Sequence, residues 1–384
     1  MASGTGPRIA VALDGSGWHP AAWREPGARP RELLTAGYWT DLVREAEAGK
    51  LDFVTIEDSL ALQTGPGERT GIVQGRLDAV LTAARVAPLT SHIGLVPTAV
   101  VTHTEPFHLS KAIATLDYVS TGRAGVRVQV AGRAEDSRHF GRRESGELRL
   151  EDLFDEAADY VEVLRRLWDS WEDDAEIRDV ATGRFVDREK LHYIDFTGRW
   201  FSVKGPSITP RPPQGRPPVT ALAHAAVPYR LAARSADVVY VTPFDREQAG
   251  AIVAAVRDEQ EKAGRGAETL HVFGDVVVFL DETEQAAVDR KARLDERSGA
   301  EYTSDALVFT GTPAGLADLL LDWHDAGLSG FRLRPGALPH DLTAITRGLV
   351  PELRSRGAFR TEYEASTLRG LLGLARPANR YAAV

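Results

Sequence analysis

Hydrophobic and polar positions change along this chain in two alternating patterns, short continuous apolar runs and longer amphipathic segments. Eight apolar runs are rich in Val, Ile, Leu and Ala, which is typical of strands buried on both faces of a parallel sheet. We therefore predict strands at residues 9–13, 53–57, 93–101, 125–130, 219–223, 237–242, 270–280 and 330–334.

The segments between these runs have the spacing of amphipathic helices. They cover residues 31–48, 76–87, 106–119, 150–171, 229–235, 246–263, 282–297, 313–326 and 342–355. Eight strands that alternate with helices predict an α/β fold, a (β/α)8 TIM barrel with insertions. We expect one domain over residues 1–384, with an insertion at about 172–218 and a second around 298–311.

In such a barrel the chemistry belongs to the loops at the carboxyl ends of the strands. The predicted strand ends carry a series of polar residues, namely Asp14 to Ser16, Glu57 to Ser59, Thr98 to His103, Arg127 to Gly132, His224, Thr242 and Arg334. The sequence therefore predicts a polar barrel mouth.

Composition and charge exclude several classes of protein. The 46 Lys and Arg residues face 55 Asp and Glu residues, which gives a net charge of −9 and argues against nucleic acid or an anionic membrane as partner. The chain has no cysteine, so disulfides and thiolate chemistry are excluded, and no His spacing indicates a metal site. No signal-peptide pattern opens the chain and no apolar run approaches the roughly 20 residues of a membrane span, so we expect a cytoplasmic protein.

General catalytic motifs are missing from the sequence. It contains no phosphate-binding G-x-x-x-x-G-K-[ST] loop, no G-x-G-x-x-G, no H-E-x-x-H and no G-x-S-x-G. The residues alone thus indicate a barrel with a polar mouth and leave its reaction open.

Several ordered stretches resemble one family. Residues 93–98 (IGLVPT), 102–109 (THTEPFHL) and 116–125 (LDYVSTGRAG) are similar to the luciferase-like flavin monooxygenases. Within that family they are closest in character to the nitrilotriacetate, dibenzothiophene-sulfone and pristinamycin monooxygenase branch. Residues 198–206 (GRWFSVKGP) and 376–381 (RPANRY) continue the resemblance in the same order, so it covers nearly the whole chain.

This resemblance implies a TIM barrel that binds FMN at the strand ends. Reduced FMN would come from a separate NAD(P)H:flavin reductase, capture O2 as a flavin C4a-(hydro)peroxide and oxygenate a small organic substrate. A homodimer is also expected from the family. The flavin carries the chemistry in such an enzyme, while the protein positions it and excludes water.

Five positions are candidate cofactor contacts, and two of them, Arg127 and Gln129, stand in a run where the branch has other residues. Asp58 aligns with a flavin-contacting Asp of the branch, and the alternative is a helix N-cap. Thr98 and Thr102 belong to the Thr-containing end of the third strand, where Thr also has high strand propensity. Arg127 and Gln129 share one face of the fourth strand, and Arg127 could hold a phosphate, an anionic substrate or a structural salt bridge.

Two histidines are candidates for catalysis. His103 and His224 lie near predicted strand ends, and either imidazole could protonate or orient a flavin–oxygen adduct near neutral pH. The alternative for each is a hydrogen-bonded packing histidine, and the same alternatives hold for His139.

Besides Val100, Val101 and the run 126–131, three further positions depart from the branch. Leu150 and Phe154 replace a His-x-x-x-Tyr pair, and Ala225 replaces a Ser after the fifth strand. Backbone N–H groups of the next helix, or Arg142 and Arg143, could bind the phosphate instead. Two alternative functions follow: an F420-dependent oxidoreductase that transfers hydride without O2, and a non-catalytic flavin- or ligand-binding barrel.

Overall fold

The fold is seen in a computed structural model that describes residues 6–63, 70–141 and 149–382. Its strands, in chain order β1 to β13, are Arg8–Leu13, Phe53–Ile56, Gly94–Val100, Val126–Gln129, Glu176–Asp179, Arg184–Val186, Phe196–Thr197, Ser202–Val203, Val219–Leu222, Val238–Val241, His271–Leu280, Leu307–Gly311 and Gly330–Pro335.

Eight of these strands close into a parallel barrel in the order β1-β2-β3-β4-β9-β10-β11-β13. Closure is made by β13, which pairs in parallel with β1 so that Arg8 lies beside Gly330 and Val11 beside Leu333. The predicted TIM barrel is therefore confirmed, and each of the eight predicted apolar runs supplies one of its strands.

The seventh barrel strand, β11, is long enough to pair with three neighbouring strands. Its first residues pair with β10, its middle with β13, and residues Val276 to Leu280 with β12. The strand β12 lies inside the segment 298–311, for which the sequence predicted only an insertion. Its side chains are mostly half-buried, so the local pattern lacks the apolar signal of the barrel strands.

Helices surround the barrel. In chain order α1 to α12 they are Ala36–Ala48, Ala79–Val86, Pro106–Val119, Ala134–Arg138, Leu150–Asp169, Ala226–Ser235, Arg246–Lys262, Glu284–Ser298, Pro313–Asp325, His340–Ala344, Val350–Ser355 and Leu368–Leu371. The segment predicted as one helix at 342–355 is divided into α10, a π-helical turn at Ile345–Leu349 and α11. None of the helices in these three described ranges is long and apolar enough to cross a bilayer.

Two short antiparallel pairs, β5 with β6 and β7 with β8, lie within residues 172–218. They form sheets of their own, separate from the barrel sheet. This segment is anchored by Arg211, whose guanidinium donates to Asp169 at 3.2 Å and to Asp173 at 2.7 Å. The hairpins therefore sit beside the end of α5 rather than in the barrel wall.

The amino-terminal end of the barrel interior is filled by apolar side chains. Phe53 and Phe273 stack with ring centroids 5.8 Å apart, and Leu368 of α12 closes this end from below. Leu368 can approach because Gly94 has no side chain; a Cβ there would lie 2.6 Å from the Leu368 Cδ1 atom. We call this group the apolar cluster; its buried members are Ala10, Phe53, Val96, Val238, Tyr240, Phe273, Leu368 and Leu372.

Candidate functional site

Charged side chains replace apolar ones further along the same strands, toward their carboxyl ends. The two-residue period of a strand places Asp275 on the same side as Phe273, and Glu57 on the same side as Phe53. Arg332 lies directly beside Asp275 in the β11–β13 register. The barrel interior thus changes from apolar to charged between its two ends.

Five of these residues form a continuous chain of ion pairs, which we call the ionic layer. The Glu57 carboxylate accepts from Arg127 Nη1 at 2.6 Å and from Arg332 Nη1 at 3.3 Å. Arg332 Nε donates to Asp275 Oδ1 at 2.9 Å, and Arg334 Nε donates to Asp275 Oδ2 at 2.9 Å. All five side chains are buried, and none of the five residues is more than 8% exposed.

Burial and charge oppose each other in the ionic layer. Burial raises the pKa of Glu57, but the positive charges of Arg127 and Arg332 outweigh it and hold the pKa below its usual range. The same balance, with Arg332 and Arg334 as partners, lowers the pKa of Asp275. Buried carboxylates are tolerated only when paired in this way, so both are ionised at neutral pH.

The layer contains three arginines and two acids, and its excess charge is compensated at the mouth. Arg334 Nη1 donates to Asp305 Oδ1 at 2.7 Å. Aromatic faces lie against two of the cations: the Tyr240 ring is 4.1 Å from Arg332 and the Trp18 ring 4.8 Å from Arg334. Such contacts add favourable cation–π energy in a desolvated site.

Arg127, one of the predicted cofactor contacts, belongs to this layer. Besides Glu57, its Nη1 atom donates to Thr98 Oγ1 at 2.9 Å. Thr98 in turn lines a large cavity, so the ionic layer supports one wall of that cavity.

The large cavity lies at the carboxyl ends of β2 and β3 and has a volume of about 740 Å³. Polar and apolar side chains share its walls, among them Asp58, Thr98, His103, Val100, Leu109 and Phe140. Volumes of about 300–1,000 Å³ with a few placed polar groups are usual for cofactor sites. The sequence-predicted residues Asp58, Thr98 and His103 are thus brought together here.

Asp58 is fixed by two backbone hydrogen bonds. Its Oδ1 accepts from Ser59 N at 2.7 Å, and its Oδ2 accepts from Ala79 N, the first residue of α2, at 2.9 Å. The side-chain cap of α2 is Asp78, which accepts from Leu81 N at 2.8 Å. Burial raises the pKa of Asp58 above its usual value.

His103 has an unusual backbone conformation. Its φ is +68°, in the left-handed region that few non-glycine residues occupy. The residue is 5% exposed, and its imidazole stacks on Phe140 with ring centroids 5.8 Å apart. Strained positions of this kind persist where surrounding structure holds them, and they are concentrated at functional sites.

His224 lies elsewhere on the mouth. Its Nδ1 is 3.0 Å from Thr242 Oγ1, and its Nε2 is 3.4 Å from the Asp305 carboxylate. Burial lowers the pKa of His224. His224 is not among the residues that line the large cavity, so the two candidate histidines occupy different parts of the mouth.

The remaining predicted contacts also lie outside the walls of the large cavity. Thr102 is buried and its Oγ1 accepts from Ala131 N at 3.0 Å, which ties the ends of β3 and β4 together. Gln129 is half-buried at the end of β4, where its backbone carbonyl accepts from Val101 N at 2.9 Å. His139 is exposed at the end of α4.

The three positions that depart from the branch carry no polar side chain. Leu150 is 54% exposed at the start of α5, and Phe154 lines a separate pocket of about 220 Å³ against α6. Ala225 precedes α6 and gives it no side-chain cap. Arg142 and Arg143 lie outside the described residues.

Sequence reasoning missed the ionic layer as a unit. Arg127 and Arg334 were singled out at strand ends, whereas Asp275 and Arg332 were not. The available signal is a charged residue at every second position of an otherwise apolar strand, as in Phe331-Arg332-Leu333-Arg334.

Comparison with known proteins gives the class. The luciferase-like monooxygenase family model matches residues 17–330. Nitrilotriacetate monooxygenase component A of Aminobacter aminovorans is 32% identical, with 96% of each chain covered. N-acetyl-S-(2-succino)cysteine monooxygenase of Bacillus subtilis (strain 168) is also 32% identical, with 98% of each chain covered.

A solved structure agrees over the same length. Riboflavin lyase, crystallised with modified FMN and riboflavin, superposes with a TM-score of 0.87 at 25% identity, over 98% of each chain. The chain belongs to the luciferase-like monooxygenase family, and the resemblance stated from the sequence is confirmed. Its class is that of the flavin-dependent monooxygenases.

Proposed function

We propose that this enzyme uses reduced FMN and O2 to oxygenate a small organic substrate in the large cavity. The observation that carries the proposal is the 740 Å³ cavity at the strand ends, which brings together Asp58, Thr98 and His103. Reduced FMN, when bound, supplies the two electrons with which one oxygen atom enters the substrate and the other leaves as water.

The cavity residues fit the ring end of a flavin. Each Asp58 oxygen accepts one backbone N–H and retains a lone pair for a further donor, such as a flavin N–H or a ribityl hydroxyl. The Thr98 hydroxyl accepts from Arg127 and can donate its own proton into the cavity. The side chains of Leu150, Phe154 and Ala225 offer no hydrogen bond to the flavin phosphate. The backbone N–H groups at the start of α6 would be its donors instead.

Apolar side chains form part of the wall of the same cavity. Leu60, Val80, Val100 and Leu109 are among the residues that line it. A dry wall protects a reactive oxygen species from hydrolysis and strengthens every polar contact nearby. The protein's contribution is therefore a shaped pocket that combines apolar wall with a few placed polar groups.

His103 is the residue best placed to hold or deliver a proton. Its imidazole is confined between a strained backbone and the Phe140 ring, so its nitrogen atoms have fixed positions at the cavity wall. Imidazole exchanges protons near neutral pH, as an oxygenation that releases water requires. His224, bound to Thr242 and Asp305, would act only from the rim.

The proposal includes a supply of reduced flavin from a separate NAD(P)H:flavin reductase. The name of one relative, nitrilotriacetate monooxygenase component A, supports a system with more than one component. A homodimer and a cytoplasmic location belong to the same proposal; the homodimer rests on the family resemblance, and the location on the sequence pattern described above.

An anaerobic titration of the purified protein with reduced FMN, followed by rapid mixing with O2, tests this function. We expect saturable binding and an oxygen-dependent absorbance change that decays more slowly than in free flavin. Hydride transfer from reduced F420 without O2 would support the oxidoreductase alternative instead. Binding without any effect on flavin oxidation, across a substrate screen, would support a non-catalytic barrel.

A further inference from the structure

We propose that a second, smaller cavity of the mouth binds a carboxylate group of the substrate, so that the substrate is a carboxylate-bearing small molecule. This cavity has a volume of about 290 Å³ and lies at the carboxyl ends of β1 and β2. It shares Ser59 with the large cavity, so one molecule can occupy both. The inference rests on the proposed function only in calling the occupant a substrate.

The loop that follows β1 forms one wall of the small cavity and is held rigidly. Gly17 has a φ of +120°, and a Cβ there would lie 2.6 Å from the Gly336 carbonyl oxygen. Gly17 N donates to the Asp14 carbonyl at 2.8 Å, and Trp18 N donates to the Pro335 carbonyl at 3.0 Å. The loop is thereby fixed against the end of β13.

Two buried donors in this wall make no well-formed hydrogen bond among the described residues, although one of them, the Ser16 hydroxyl, also neighbours the Tyr38 hydroxyl. They are the Ser16 hydroxyl and the Trp18 indole Nε1. Ser16 is only 1% exposed, and both residues line the cavity. Leaving a buried donor unpaired is unfavourable, and a ligand oxygen in the cavity would satisfy it.

The charges of the small cavity favour an anion. Arg76 donates to Asp14 at 3.1 Å from Nε and at 2.7 Å from Nη2, so this carboxylate is already neutralised. Arg133 is exposed, and its guanidinium makes no ion pair or hydrogen bond within residues 6–63, 70–141 and 149–382. His19 adds no positive charge, because burial lowers its pKa. Two guanidinium groups thus face one carboxylate.

A carboxylate matches this set of donors in number and charge. It accepts hydrogen bonds only, and its two oxygens suit the fork of Arg133 or the neutral donors Ser16 and Trp18. One negative charge balances the surplus of one positive charge, whereas a phosphate dianion would leave an excess beside Asp14. Anchoring one end of the substrate here would orient its reacting carbon in the large cavity.

Binding is measured by calorimetry on the flavin-free protein at constant ionic strength. The probes are acetate, succinate, glutarate and tricarballylate, each paired with its neutral amide. We expect at least one acid to bind tenfold or more tightly than its amide. Arg133→Gln should lower the affinity for that acid at least tenfold. Arg133→Lys should lower it less, and Ser16→Ala a few-fold.

The control is Arg138→Gln on the exposed end of α4, which removes the same charge five positions away and does not line the cavity. The proposal is overturned if no acid binds more tightly than its amide, or if Arg133→Gln and Arg138→Gln weaken binding equally. It is also overturned if inorganic phosphate binds more tightly than every acid. Reduced-FMN binding, titrated in parallel, should be unchanged in Arg133→Gln. Loss of flavin binding in the wild type with intact acid binding would reject the proposed function and leave this site standing.

Discussion

The two ends of the barrel interior are built from the same strands with opposite chemistry. At the amino ends, Phe53 and Phe273 stack within the apolar cluster, while two positions further along the same strands Thr55 and Asp275 face inward among charges. The strand period is identical at both ends, so the difference lies only in which side chains the sequence supplies. Stability comes from the closed end, and the open end is prepared for chemistry.

The ionic layer forms the boundary between these two regions. A buried ion-pair network of this kind contributes little net stability compared with apolar packing, but it is costly to break. Here it fixes Thr98 through Arg127 and holds Glu57 immediately before Asp58. The ionic layer therefore serves to position the cavity wall, whereas the apolar cluster stabilises the fold through the apolar volume that it buries.

Removing one charge from the layer should have the largest effect. Asp275→Asn leaves Arg332 and Arg334 buried without their shared carboxylate, and we expect a loss of about 3–5 kcal/mol in the free energy of unfolding. The measurement is urea denaturation followed by circular dichroism. Asp305→Asn is the control, because Asp305 has a half-exposed side chain and should cost less than about 1 kcal/mol. Equal losses of unfolding free energy in the two variants would show that the buried ion pairs contribute no more than an exposed ion pair does.

The mouth should respond to a substitution that leaves stability intact. His103→Asn removes the imidazole, yet Asn tolerates the left-handed backbone that His103 adopts. We expect oxygenation to fall about 100-fold with little change in Tm. His108→Asn, at another residue of the same cavity, is the control and should keep most of the activity. A parallel fall in both variants would remove His103 from the catalytic role.

The two ends should also differ in their dependence on pH. The pKa values of Glu57 and Asp275 are lowered in the folded protein, so their stabilisation is present above the unfolded values near 4 and is lost as the pH falls through the folded values. Glu57→Gln should therefore flatten the acid decline in unfolding free energy by up to about 1.4 kcal/mol per pH unit. Phe273→Leu should lower the whole curve without changing its slope; identical slopes in all three proteins would contradict the assignment.

The smallest expected effect is at Asp58. Asp58→Asn keeps an oxygen for one of its two backbone hydrogen bonds but removes the charge, and reduced-FMN affinity should fall roughly fivefold, about 1 kcal/mol. Fluorescence titration under anaerobic conditions measures this change. Unchanged affinity would place Asp58 outside the cofactor contacts and leave it as a structural acceptor for α2.

The barrel could be predicted from sequence because each strand carries its own signal. The run from Val276 to Leu280 is apolar whatever lies beside it, and Pro313 after Thr312 marks the start of α9 locally. The ionic layer could not be predicted, since Glu57 meets Arg127 and Arg332 only when distant strands close the barrel. The cavities are formed by loops between strands, and the spacing of residues in a loop does not show which of them will line a cavity. His103 was identified because it follows a strand, although its strained backbone was not foreseen.

Because β1 closes the barrel by pairing with β13, the barrel can close only late in synthesis. Arg127 follows Glu57 by 70 residues, whereas Arg332 follows it by 275. At about 5–20 residues per second, a ribosome takes roughly 14–55 s to deliver that second partner. During this interval β1 has an open edge, and the nascent sheet holds Glu57 with one arginine. The arrival of β13 therefore decides whether the nascent sheet closes into a barrel or stays open to chaperones.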